Sequence, residues 1–195
     1  ENPQEARVRI VAGKFKGRSL AEPNSDAIRP TSDRARETIF NILQHGCGVS
    51  FENIRVIDLF AGTGALGLEA LSRGAAFCLF VEAAAEARAL IRTNVETFGQ
   101  TGNSKIYRRD ATGLGGSENL GAFALAMLDP PYGKGFGEAA LKSLSQGNWL
   151  LPGAIAVLEE RRNADVAVPA EFELIDRREM ADTQILFLKH RPVAD

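Results

Sequence analysis

From residue 53 onward the chain alternates short apolar runs with amphipathic ones, and this alternation restricts the fold more than any other feature. "IRVIDLF", "AFCLFVE", "SKIYRRD", "AFALAML" and "GAIAVLEE" read as strands. "GALGLEALSRG", "AAAEARALIRTNVETFG" and "GEAALKSLSQG" between them carry helical periodicity, and the first two stop at Gly74 and Gly99. Strands that are apolar on both faces need helices on both sides, which is the arrangement of a parallel sheet in an α/β fold. The tail, "FELIDRREMADTQILFLKH", reads as two tightly joined strands that add an antiparallel edge. "GLGGSENLG", Gly113 to Gly121, reads as a plain loop.

Before residue 50 the pattern differs. Arg7 to Leu20 alternates apolar and basic residues around "GKFKG", which predicts a β-hairpin with a basic face. In "IRPTSDRARETIFNIL", Thr31 or Ser32 can cap a helix after Pro30, with Ile39, Ile42 and Leu43 on one face. The expected division is therefore residues 1–50, a hairpin-and-helix extension, and residues 51–195, the α/β domain. A net charge of −2 excludes a generic polyanion binder, so the distribution of charge matters more than its sum. Arg7 to Arg18 holds five cations and no anion. Arg7, Arg9, Lys14, Lys16 and Arg18 are therefore candidate contacts to a phosphate backbone. Cys47 and Cys78 lie far apart, and they and His45 and His190 lack companions at ligand spacing, so no metal site is expected. The start has no signal-peptide shape and no run approaches the ~20 apolar residues of a membrane span, which points to a cytoplasmic protein.

"VIDLFAGTGALGLEA" puts Gly62, Gly64 and Gly67 in G-x-G-x-x-G spacing between a strand and a helix. Such glycines let backbone approach a ligand and let the helix pack tightly on the sheet. The next strand ends in Glu82, 20 residues after Gly62, where a carboxylate can accept both hydroxyls of a ribose. Asp110 ends the third strand and can meet an adenine amino group or cap the following turn. Asp58 can bind a ligand ammonium or cap its own turn. NAD and S-adenosylmethionine both fit such a pocket. A dehydrogenase needs an acid–base group after it, and beyond Asp129 the chain offers His190 alone.

The fourth strand ends in "LDPPYGKG". An exocyclic amine on a nucleobase is a poor nucleophile because its lone pair is delocalised into the ring. Two acceptors bound to its N–H groups favour a pyramidal nitrogen. Asp129 can be one acceptor and the Pro130 carbonyl the other, its direction fixed by the proline pair. Tyr132 offers a flat face for an extruded base, worth about 1–3 kcal/mol; the ring suffices for that, without the hydroxyl.

"DLFAGTGALGLEALSRGA", "FVE", "RRDA" and "LDPPY" resemble the motifs of class I S-adenosylmethionine-dependent amino-methyltransferases. "RIVAGKFKGRSL" followed by "RPTSDRARETIFNIL" narrows the resemblance to the bacterial 16S rRNA guanine-N2 methyltransferase family, RsmD, over Arg7 to about Lys189. The resemblance implies a Rossmann-like class I methyltransferase fold with a mostly parallel seven-stranded sheet. It implies S-adenosylmethionine as donor, S-adenosylhomocysteine as product, and 16S rRNA of the small ribosomal subunit as substrate. A monomer is the expected state, though nothing in the sequence determines it. It places Ala61 and Ala111 beside the donor, with Asp58, Gly62, Gly64, Glu82 and Asp110. It also folds "RPTSDRARETIFN" back towards the donor, which makes Thr31 and Asn41 candidate donor contacts and Arg29, Arg34 and Phe40 candidate pocket or substrate contacts, with Lys134 a further RNA contact. Phe40 can equally be core, and Arg34 and Glu37 a solvated pair. The competing readings are a DNA adenine or cytosine amino-methyltransferase, a donor-binding RNA assembly factor without chemistry, and a small oxidoreductase.

Overall fold

In a computed structural model, residues 7–24 and 31–194 are described. Seven strands form one sheet in the order β3-β2-β1-β4-β5-β7-β6: β1 (Arg55–Leu59), β2 (Phe77–Val81), β3 (Ser104–Tyr107), β4 (Phe123–Leu128), β5 (Leu150–Arg161), β6 (Phe172–Met180) and β7 (Thr183–His190). The first five pair in parallel, and β7 lies antiparallel between β5 and β6. The tail strands therefore add antiparallel pairings at one edge, as their tight connection requires. Among the described residues, four α-helices accompany the sheet: α1 (Asp33–Asn41), α2 (Ala65–Ser72), α3 (Ala85–Thr97) and α4 (Phe136–Gln146). Among the described residues, no helix is long and apolar enough to cross a membrane.

The β3–β4 crossover carries no α-helix. The Gly-rich segment read as a plain loop instead contains a 3₁₀ turn at Glu118–Leu120, and it is packed rather than loose: Trp149 Nε1 donates to the Gly115 carbonyl at 2.7 Å. The two faces of the sheet carry separate apolar clusters, one around Leu68, Phe80, Ile91 and Met127, the other around Leu141, Trp149, Leu158 and Leu188. Gly67 shows why the third glycine is there. A Cβ at that position would sit 2.4 Å from the Phe80 ring and 2.6 Å from Cys78 Sγ, so α2 could not lie this close to β2.

The N-terminal segment narrows one expectation. Its two arms pair antiparallel over a short stretch around an Arg9–Ser19 bridge, with Ile10 N–H donating to the Arg18 carbonyl at 3.0 Å, Gly17 N–H to the Ile10 carbonyl at 2.8 Å and Leu20 N–H to the Val8 carbonyl at 2.9 Å, but no two full strands form. The reason is that the donors of the intervening turn face α2. The Val11 and Ala12 N–H groups donate to Glu69 at 2.8 and 3.1 Å, Lys14 N–H to the Ser72 carbonyl at 2.9 Å, and Phe15 N–H to Ser72 Oγ at 3.0 Å. Gly13 permits this approach: its φ is +84°, and a Cβ there would lie 2.0 Å from the Ser72 carbonyl oxygen. Val8, Ile10, Leu20, Phe40 and Leu43 all belong to the same apolar cluster as α2 and α3, so the described N-terminal segment and α1 share the core of the larger region.

Ser32 caps α1, accepting from the Ala35 N–H at 3.1 Å, and the helix runs on into a π-helical turn at Ile42–Gly46. On its inner side Arg36 is fully buried. Its guanidinium donates to Glu69 Oε1 at 3.3 Å, to the Arg9 carbonyl at 2.6 Å, and to Asp33. Glu69, itself fully buried, also receives Arg73 Nε at 3.1 Å. One carboxylate thus joins α2 to the N-terminal segment and to α1. Burial lowers the pKa of Arg36, while Asp33 and Glu69 oppose the shift.

Candidate active site

In the order 3-2-1-4-5, the connections turn in opposite directions at the β1–β4 boundary, which opens a crevice beyond the strand ends. A cavity of about 390 Å³ lies there. Each neighbouring strand delivers a carboxylate to it: Asp58 from β1, Glu82 after β2, Asp129 after β4 and Glu159 near the end of β5.

Glu82 holds the glycine turn. Its Oε2 accepts the Gly62 N–H and its Oε1 the Ala84 N–H, both at 3.0 Å. A carboxylate has about four acceptor sites, so hydroxyl donors can still be received beside these two. Asp58 is almost fully buried and accepts the Gly67 N–H at 3.0 Å. Burial pushes its carboxyl well above the usual range; the Gly67 bond opposes this, and Asp129 and Glu82 add to it. A cationic ligand would relieve that strain. Among the described residues lining the cavity none is Lys, Arg or His, and the charged ones are all carboxylates. An anionic pyrophosphate would meet those carboxylates without a cationic side chain of the described lining beside it, whereas a sulfonium and an ammonium meet complementary charge.

The "DPPY" segment closes the other side. Thr31 Oγ1 donates to Asp129 Oδ2 at 3.1 Å, across 98 residues of sequence. Pro130 is buried, and Tyr132 is half-buried with its hydroxyl donating to Glu159 Oε1 at 2.6 Å. Gly133 N–H donates to Glu160 Oε1 at 3.0 Å. The loop is pinned to β5 at two points, so the turn that carries Asp129 is rigid. The Tyr132 hydroxyl, unneeded for stacking, is engaged in fixing the ring.

Thr31, Asp58, Ala61, Gly62, Glu82, Asp129, Pro130 and Tyr132 line this cavity. Other candidates lie elsewhere. Gly64 precedes α2 with φ +80°, and its Cβ position faces Phe80 and Ile91. Asp110 is exposed and caps a turn: its Oδ1 accepts from the Thr112 N–H at 2.9 Å and hydroxyl at 2.7 Å, which lowers its pKa. Ala111 is buried in the cluster of the opposite face. Asn41 is exposed at the end of α1. Phe40 is core, 5.2 Å from the Phe51 ring centroid and covered by the Arg73 guanidinium. Arg34, Glu37 and Lys134 are exposed, as are Arg7, Arg9, Lys14, Lys16 and Arg18. Arg18 is also tied to α3: it donates to the Thr97 carbonyl at 2.8 Å and lies 4.4 Å over the Phe98 ring. Arg29 lies outside the described residues. Glu159 and Phe60 line the cavity without having been singled out. Phe60 has φ +56°, a costly conformation for a non-glycine residue. The signal for Glu159 was the one already used for Glu82 and Asp129, an acid closing an apolar strand.

The resemblance implies that Glu82 holds the donor's ribose; if it does, replacing it with alanine should weaken binding of S-adenosylmethionine by about 1.5–3 kcal/mol, the range for hydrogen bonds to a charged group. The rate at saturating donor should fall less. Calorimetry that finds unchanged affinity removes Glu82 from the donor site.

The family described as Conserved hypothetical protein 95 matches residues 8–189. The chain is 33% identical to a Haemophilus influenzae protein named ribosomal RNA small subunit methyltransferase D, over 88% of each chain. It is also 33% identical to the Escherichia coli K12 protein of that name, over 93% of this chain and 88% of the relative. The solved structure of Escherichia coli yhhF superposes with a TM-score of 0.82 at 29% identity, covering 96% of this chain and 99% of the other.

Proposed function

Because the chain belongs to the Conserved hypothetical protein 95 family, alongside the ribosomal RNA small subunit methyltransferases D, we propose that it methylates the exocyclic N2 amine of a guanine in 16S rRNA, with S-adenosylmethionine as donor. The observation that carries this reading is the meeting of Asp129, Pro130 and Tyr132 with Glu82 and Gly62 at one cavity. The four carboxylates of the lining fit a cationic donor. Glu82 would hold its ribose, Asp58 its ammonium, and the Gly62 turn its closest approach to backbone. The donor supplies an electrophilic methyl on a sulfonium and departs as S-adenosylhomocysteine.

The rest is performed by the chain. Tyr132 stacks the extruded base, its ring held in place by Glu159. An Asp129 oxygen and the Pro130 carbonyl accept the two N–H groups of the amine, turning its lone pair towards the methyl. The nitrogen is cationic once methylated and sheds a proton along its bond to Asp129. Thr31, donating to Oδ2, keeps that carboxylate in one orientation. Little chemistry is required beyond fixed dipoles and positioning, and a rigid loop provides both.

The enzyme acts as a monomer in the cytoplasm, on rRNA within a small-subunit particle. The exposed cations of the N-terminal segment contact phosphates, and Lys134 and Arg34 lie on surfaces a bound RNA can reach. Arg18 has a structural task at α3 and is left unchanged in the test: neutralising Arg9, Lys14 and Lys16 together should reduce the salt slope of RNA binding by about 2. Donor affinity should not change. An unaltered slope would make these cations a solvated surface only. The function itself is tested with labelled donor offered to small-subunit particles, naked 16S rRNA and DNA. Label in RNA supports the reading. Label in DNA alone, or in neither, opposes it.

A further inference from the structure

The function as derived uses Glu159 only to hold a tyrosine, yet its position is that of a reader of the substrate. We propose that the Glu159 carboxylate accepts the ring N1–H of the target base and so selects guanine over other amino-bearing bases; this rests on the reading of Asp129 as acceptor for the amine. Leu128 of β4 and Leu158 of β5 are partners in the parallel register, which puts Asp129 and Glu159 side by side at the strand ends, about 4.8 Å apart in backbone. Both line the same cavity. Glu159 is only 8% exposed, where a carboxylate is costly unless hydrogen bonds meet it. Tyr132 donates one such bond at 2.6 Å, so the stacking ring and the second carboxylate move as a unit. A carboxylate has acceptor sites for a further donor.

The chemistry of the bases then decides. On its Watson–Crick edge, guanine presents its amine beside a ring N–H, two adjacent donors. Adenine and cytosine present their amine beside a ring nitrogen with a lone pair. Two neighbouring carboxylates complement the first pattern, whereas Glu159 repels the second. Asp129 alone would accept any amine.

The experiment is single-turnover transfer to RNA carrying either guanine or 2-aminopurine at the methylated position. The analogue keeps the N2 amine but has a bare lone pair at N1. Wild type should prefer guanine by about 10²-fold or more, since a site built to accept a hydrogen bond rejects the analogue lacking the donor. In Glu159→Gln the preference should fall to within about tenfold, because the amide can turn its NH₂ towards that lone pair. Tyr132→Phe, which loses the hydroxyl but keeps the carboxylate, should retain the wild-type preference. If Glu159 does no more than hold Tyr132, Glu159→Gln will slow both substrates equally and leave the ratio unchanged, which overturns the proposal. Absence of a guanine preference in wild type overturns it without any variant. No transfer to guanine RNA by wild type would instead sink the proposed function.

Discussion

Asp129→Ala is expected to slow single-turnover methyl transfer at saturating donor and RNA by about 10²–10³-fold relative to Asp129→Asn, the scale for losing one preorganised transition-state contact. Asp129→Asn should be slow but measurable. The asymmetry follows from what surrounds the residue. Thr31 Oγ1 donates to Oδ2, and a hydroxyl can accept as well as donate. An asparagine can therefore turn its amide nitrogen to Thr31 and keep its oxygen for the substrate amine. Alanine has nothing to offer, and it leaves Thr31 without this partner. Donor affinity should change little in either variant, because Glu82 and the glycine turn lie on other strands. Equal, near-normal rates in both would mean that the segment is only a turn.

Removing Glu69 should have the largest effect on stability. Glu69→Ala leaves the buried Arg36 charge without its most buried partner and frees the Val11 and Ala12 N–H groups. Breaking a buried pair on one side costs about 3–5 kcal/mol. At about 2–4 °C per kcal/mol in a domain of this size, that is a fall in Tm of roughly 6–20 °C. Glu69→Gln restores an acceptor but not a charge, and should fall between wild type and Glu69→Ala. Urea denaturation of all three proteins measures it. A loss below about 1 kcal/mol in Glu69→Ala would show that the N-terminal segment is held by its apolar residues alone.

What the sequence disclosed and what it concealed follow from range. The strands and helices after residue 53 are local patterns, and each appeared where expected. The packing of Gly67 against a strand and the meeting of Glu82 and Asp129 at one cavity could be read because each depends on the element the residue adjoins, with the family resemblance assigning their order. Glu69 was invisible. It sits in "GALGLEALS" like any polar residue of an amphipathic helix, and the residues it binds lie 33 and 57–58 positions away. The same distance shortened the hairpin: the arms of "RVRIVAGKFKGRS" pair over a few residues, but the amides of Val11, Ala12, Lys14 and Phe15 find their partners on α2. Asp110 carries the same strand-end signal as Glu82, yet a threonine two residues later claims its oxygen. Nor could local pattern show that β7 would insert between β5 and β6, because either order satisfies the same tight turn.

The central claim is that the cavity methylates guanine at N2, and the nucleoside formed tests it most directly. After incubation with donor and small-subunit particles, the RNA is digested to nucleosides and the methylated product is identified by mass spectrometry against standards. The account predicts N2-methylguanosine at one position per particle, formed far more slowly with Asp129→Ala. Methyl found on adenine N6 or cytosine N4, on a ring nitrogen of guanine, or present in equal amount with Asp129→Ala would contradict it.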